Sequence, residues 1–170
     1  MKQVAILAVS SVCLVVLSCT FFCQSSHGRQ LSGYAEFYSG PPLLSEIIEQ
    51  ERRKWNLPKG IIEGLIFHES KFDETAVNPE RESRCYKKAG SDVEREKCSS
   101  SGLMQIVYGL HGGSRHERLA EHVARGTAIL GRHWRRTHSI VRALSLYNGD
   151  LSGRYAAAVL ADAKRFGYRG

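Results

Sequence analysis

From residue 43 onward, apolar positions recur at spacings of about three and four residues, the period of a buried helical stripe. In "LLSEIIEQERRKWNLP" the stripe is Leu44, Ile47, Ile48, Glu51 and Trp55, and "NLP" ends it. Pro58 suits the first turn of a second helix, "GIIEGLIFHESKFDE" (60 to 74), with Ile62, Leu65, Ile66 and Phe72 on one face. Between residues 72 and 101 the pattern fails: the segment is polar, holds Pro79 and Gly90, and keeps neither a period of 2 nor one of 3.6. Order resumes at "SSSGLMQIVYGLHG", where the serines offer an N-cap to a short helix that the glycines end. A long helix follows through Leu119, Val123, Gly126, Leu130 and Trp134. Ser139 can cap another with Ile140, Leu144 and Tyr147 aligned, and Gly153 precedes a last one with Tyr155, Val159, Ala163 and Phe166 aligned. Nothing alternates with period 2 for long, so the pattern predicts an all-α domain of about six helices over 43–170, with no internal repeat.

One position breaks the second stripe. Glu69 follows Leu65 by four residues and Ile66 by three, which puts a carboxyl on the apolar face. A buried unpaired charge is costly, so such a group finds a partner or holds its proton. One alternative is a glutamate at a helix end that turns to water or pairs with Arg81, Arg84 or Lys71. The other is an acid kept protonated near neutral pH, which is what cleavage of a glycosidic bond requires, because the leaving oxygen must be protonated as the bond breaks.

Composition divides the chain. Residues 1–26 carry one charge, Lys2, then the apolar run "VAILAVSSVCLVVLSCTFF" and small polar residues, the order of a secretory leader. The run approaches bilayer length, so a retained anchor is the second reading of it. A third is lipidation, because "VVLSC" ending at Cys19 resembles a bacterial lipoprotein processing box. Each exports the rest to the periplasm or cell envelope, with membrane attachment through the leader under the last two. Residues 27–42, rich in Gly, Ser and Pro, read as a linker or arm. Of the five cysteines, two lie in the body; Cys85 and Cys98 read as a disulfide that staples the unpatterned segment. The seven histidines show no clustered ligand spacing, and no metal or cofactor is expected. Without the leader the chain keeps 23 basic against 17 acidic residues, a net of +6, gathered partly in "GRHWRRTH". That charge fits attraction to an anionic envelope better than nucleic acid, which is not expected as a partner.

The set "ES" (Glu69, Ser70), "GLMQ" (Gly102 to Gln105) and "YNG" (Tyr147, Asn148, Gly149) occurs in the order, and at roughly the spacings, of the SLT family of lytic transglycosylases. The chain resembles that family over about residues 44–167, including "SKFDETAVN" and the Tyr155 and Val159 pattern of the last helix. The resemblance implies a lysozyme-like, mainly helical single domain with a groove for the glycan strands of peptidoglycan. It implies that Glu69 is the sole catalytic acid and base, acting on the bond between N-acetylmuramic acid and N-acetylglucosamine and leaving a 1,6-anhydro end. Ser70, Met104, Gln105, Tyr147, Asn148 and Tyr155 match positions that line or support the groove, with plain core packing the alternative reading of Met104 and Tyr155. Members commonly have Ala-Tyr-Asn-Ala-Gly where this chain has "LYNGD", and the 32 residues between Glu69 and Gly102 exceed what many carry, an insertion expected to wall the groove.

Two other functions compete. A lysozyme resembling the goose type shares "ES" and "GLMQ" but uses water, which inverting hydrolysis activates with a second carboxylate, Asp73 or Asp92 being the candidates. A non-catalytic wall-binding or assembly protein would be expected to lack the acid. Small enzymes of this type also serve envelope-spanning secretion, conjugation and phage machines, so such a machine is an expected partner beside the glycan.

Overall fold

The computed structural model describes residues 43–81 and 83–170, so the leader, Cys19 and the arm over 27–42 lie outside the described residues. Helix α1, Leu43–Trp55, buries Leu44, Ile47, Ile48 and Glu51, the stripe the sequence predicts. On its outer face Glu49 sits 2.6 Å from both Arg52 and Arg53, and the Arg52 hydrogen bond leads in holding its carboxyl down to about 2.

Helix α2, Ile61–Ser70, is the centre of the fold. Residues 61–67 are all buried, as expected of a helix enclosed on most sides rather than one lying on a surface. It stops at Ser70, short of the expected 74, because Lys71 (φ 56°) and Phe72 (φ 67°) turn left-handed and Lys71 N–H closes onto Phe67 O. The reversal puts Phe72 back under the helix, where Phe67 and Phe166 meet it with ring centroids 6.2 and 5.7 Å away.

Two departures follow in the middle of the chain. The segment 100–107 is not a helix. Its serines pair instead of capping: β1 (Val77–Asn78), β2 (Ser100–Ser101) and β3 (Ile106–Val107) form an antiparallel sheet in that order, with Val77 opposite Ser101 and Ser100 opposite Val107. Between β2 and β3 the chain turns through Gly102 (φ 74°) and Gln105 (φ 47°), and only Tyr108–His111, here α5, is helical. The unpatterned segment holds two short helices, α3 (Arg84–Lys88) and α4 (Asp92–Lys97), capped by the hydroxyls of Ser83 and Ser91. The Cys85–Cys98 disulfide joins this pair across 5.6 Å between Cα atoms.

Helices α6 (Leu119–Thr137), α7 (Ile140–Asn148) and α8 (Arg154–Lys164) complete a mainly helical fold. Among the described residues no helix is long and apolar enough to cross a membrane. Helix α6 packs on α1 and α7, with Gly131 under the Trp55 ring and Gly126 against Met104. Helix α8 runs antiparallel to α2 at close range. A Cβ at Gly64 would lie 2.5 Å from Ala163 Cα, so glycine is what lets the two backbones meet.

Gly64→Ala tests this packing. Alanine is the better helix former, yet overpacking costs about 1–3 kcal/mol, so urea denaturation should show a net loss of stability. Removing the staple with Cys85→Ser and Cys98→Ser together should cost about 3 kcal/mol in the same assay.

Candidate active site

Glu69 sits on the last turn of α2, half-buried. Burial is the main cause that raises its carboxyl above the ordinary range, and the charge of Glu80 adds to it; the Tyr155 hydrogen bond, His68 and Lys71 act the other way. Its partner is Tyr155 of α8, whose hydroxyl donates to Glu69 Oε1. That hydroxyl is itself pushed well above its usual range, first by burial and then by the Glu69 charge, so it stays a donor. Pairing with Arg81, Arg84 or Lys71 is not what holds the carboxyl, and Lys71 instead places its ammonium over the Phe67 ring at 4.1 Å.

The "GLMQ" segment is a turn pinned by three helices. From α2, Ser70 Oγ donates to Leu103 O at 3.0 Å; from α7, Tyr147 Oη donates to Met104 O at 2.7 Å. From α6, His122 Nε2 accepts the Met104 N–H at 3.1 Å. A backbone N–H only donates, so Nε2 is unprotonated and His122 is the neutral Nδ1–H tautomer, which donates to Tyr108 Oη at 2.7 Å. Burial depresses the His122 pKa, and burial together with the Glu117 charge pushes Tyr108 up to about 12. Gln105 then ties the turn to the sheet: its amide donates to Ala76 O and Gly102 O, and its carbonyl accepts from Ser100 Oγ at 3.0 Å.

The residues matched to the groove divide into two groups. Ser70 and Met104 are not exposed to a ligand. Ser70 is 9% accessible and bonds inward, and Met104 is wholly buried with its thioether against Gly126 and Thr127, so both act beneath the site as supports. Tyr147 is half-buried, its hydroxyl end deep enough that burial raises its pKa well above normal, with Glu69 adding to the shift. Gln105 is half-buried, Asn148 is exposed at the end of α7, and Tyr155 is half-buried on Glu69. Asp150, the departure after "YNG", caps α8: its carboxylate accepts from Ser152 N and from Tyr155 N at 2.8 and 2.9 Å. The altered loop therefore anchors the backbone of Tyr155.

Neither carboxylate proposed for a second role is placed beside Glu69 by any bond. Asp73 is solvent-exposed and bonded to Thr75 N and Oγ1 at 2.8 and 2.6 Å, which lowers its pKa; Asp92 is 96% exposed and paired with Arg95. The acid whose charge reaches Glu69 is Glu80, two residues past β1, which accepts from Ser100 Oγ at 3.1 Å and from Asn78 Nδ2. No period or motif marked it. A cavity of about 260 Å³ lies against the cysteine-closed insertion, lined by Tyr86, Arg95, Glu96 and Arg115. It takes Val77 and Ser101 from the sheet, whereas Ser100, the next residue in the strand, reaches Glu80. Among the described residues no cluster of His, Cys, Asp and Glu could hold a metal ion. Comparison with known proteins adds no relative, since no family model, curated protein or solved structure matches the chain.

Stability should record the opposed shifts. His122 titrates below its ordinary 6.5 in the folded state, so the unfolded chain takes up its proton first and stability falls as pH drops below that value. Melting curves across this range should show the loss, and His122→Gln should flatten it. Glu69 is shifted upward from 4.5, so its contribution is lost as pH rises, and Glu69→Gln should melt no lower than the parent near neutral pH.

Proposed function

We propose that this domain is a lysozyme-like lytic transglycosylase, with Glu69 as acid and base on the bond between N-acetylmuramic acid and N-acetylglucosamine in peptidoglycan. The observation that carries the reading is a half-buried carboxyl on a helix end, held toward its protonated form by burial and bonded to the Tyr155 hydroxyl. It is supported by the meeting of the "ES", "GLMQ" and "YN" segments and Tyr155 around one carboxyl.

The chemistry needs both protonation states in turn. Protonated Glu69 gives its proton to the glycosidic oxygen as the bond from C1 of the muramic acid to that oxygen breaks. The carboxylate left behind keeps the Tyr155 hydrogen bond, which favours the charged form that burial opposes. It then takes the proton of the C6 hydroxyl while O6 closes onto C1. Glu69 ends protonated, the sugar ends as the 1,6-anhydro form, and no water is consumed. Asn148, exposed at the end of α7, is the group that would bind sugar hydroxyls and N-acetyl groups, while Gln105 and Tyr147, whose polar ends are bonded to the turn and the sheet, would shape the surface beside the acid. In the cell the reading places the domain outside the cytoplasm, delivered by the leader. There it would remodel the wall or open it for an envelope-spanning secretion, conjugation or phage machine.

Glu80 favours a second reading, hydrolysis of the same bond. Inverting hydrolysis needs a carboxylate roughly 6.5–9.5 Å from the acid to activate water, and Glu80, whose charge acts on Glu69, is the candidate for that role.

Digestion of purified peptidoglycan, followed by mass spectrometry, tests the proposal. Products lighter by one water than hydrolytic muropeptides are expected; ordinary reducing ends would establish the hydrolase. Glu69→Gln should lose on the order of 10²–10⁴-fold in rate with an unchanged fold, and retained activity would sink the assignment of the acid.

A further inference from the structure

Behind Tyr155 stands a pair of side chains that the steps above do not use. His68 Nδ1 lies 3.1 Å from Asp162 Oδ2, joining the end of α2 to the last turn of α8. Both side chains are sheltered, at 29% and 22% accessible. The His68 ring also meets the Tyr155 ring edge to face, with centroids 5.2 Å apart and planes at 89°. Tyr155 in turn donates to Glu69. Asp162, His68, Tyr155 and Glu69 thus form one continuous line of contacts, with the carboxyl proposed as the acid at its inner end.

We infer that Asp162 and His68 are positioning residues for Glu69, acting through Tyr155, and that His68 also acts on the carboxyl by its charge. The inference rests on the role proposed for Glu69.

The geometry dictates each part. An aspartate oxygen only accepts, so the proton sits on His68 Nδ1 and the imidazole cannot flip without losing its partner. A fixed imidazole closes off one side of the Tyr155 ring. Asp150 holds the backbone of the same tyrosine, and the hydroxyl is left aimed at the carboxyl.

Charge adds the second part. The groups facing Glu69 are His68 and Lys71 at the end of its own helix, Tyr155 on α8, Tyr147 on α7 and Glu80 beyond β1. His68 is faced by Asp162 and Tyr155 on α8. A protonated His68 favours the Glu69 carboxylate, against burial and Glu80.

The experiment compares His68→Phe and Asp162→Asn with the parent in the full chain. His68→Phe keeps a ring against Tyr155 but removes the bond to Asp162 and the charge, whereas Asp162→Asn keeps an acceptor and removes the charge behind it. Two readouts are taken: kcat and KM on peptidoglycan against pH, and the titration of the Glu69 carboxyl by carbon NMR, which needs no activity. For His68→Phe the expected result is a kcat lower by roughly tenfold to a hundredfold with KM little changed, and a Glu69 titration moved to higher pH. Asp162→Asn should fall between it and the parent, and Asp162→Glu should recover toward the parent. Parental kcat in both His68→Phe and Asp162→Asn, or a loss that follows melting temperature while the Glu69 titration stays put, overturns the inference. Should the parent release no product from peptidoglycan, the proposed function fails by itself, and the NMR titration still decides whether His68 governs Glu69.

Discussion

The close approach of α2 and α8 at Gly64 and Ala163 is the constraint on which the site depends. Two helices with ordinary side chains at their crossing stand about 8–10 Å apart. Here the position on α2 is a glycine whose missing Cβ would strike Ala163 Cα, so the backbones come nearer and the residues beyond the crossing are brought into reach. Toward the C-terminus of α2, His68 meets Asp162 and Glu69 meets Tyr155. Toward its N-terminus, Gly60 takes φ 81° and passes under the last turn of α8, where a Cβ would lie 2.8 Å from Ala163 O. Apolar burial drives the association, and the absence of one methyl group determines how close the polar chemistry can stand.

A second constraint converts that helix pair into a site. The turn from Leu103 to Gln105 presents backbone carbonyls and an amide to three different helices, and each supplies one polar side chain: Ser70, His122 and Tyr147. Buried backbone groups outside regular structure must be paired, and here the pairing also fixes where Gln105 and the sheet lie relative to Glu69. The neutral tautomer of His122 belongs to this account, because a second proton on Nε2 would face the Met104 N–H directly. Polar residues that resemble ligands for a substrate can therefore be ligands for the protein's own turn.

This explains what was legible beforehand. The long helices could be read because their stripes are long, and Glu69 because a carboxyl in such a stripe contradicts its neighbours. The disulfide followed from having one pair of cysteines in the body. The sheet could not be read: its strands are two residues each, too short for a period of two to register, and the serines that pair there are also good helix caps. Ser70 and Met104 were placed with a groove by their match to motif positions, with core packing the alternative for Met104; both are buried, because on a helix end and in a tight turn adjacent residues point opposite ways. His68, Asp162 and Glu80 carried no signal, because their meaning lies in contacts across α2, α8 and the sheet.

Under the proposed function one carboxyl serves as both acid and base. Burial alone would hold the proton too firmly for the second half of the cycle, and hydrogen bonding alone would release it before the first. Around Glu69 apolar enclosure and Glu80 favour the acid, while Tyr155 on α8 and His68 and Lys71 at the end of α2 favour the base. Under the proposed function, the choice between closing a sugar onto itself and admitting water would lie outside Glu69, and Glu80, held by Ser100 at the border of the inserted segment between Phe72 and Ser101, is the group that would bear on it.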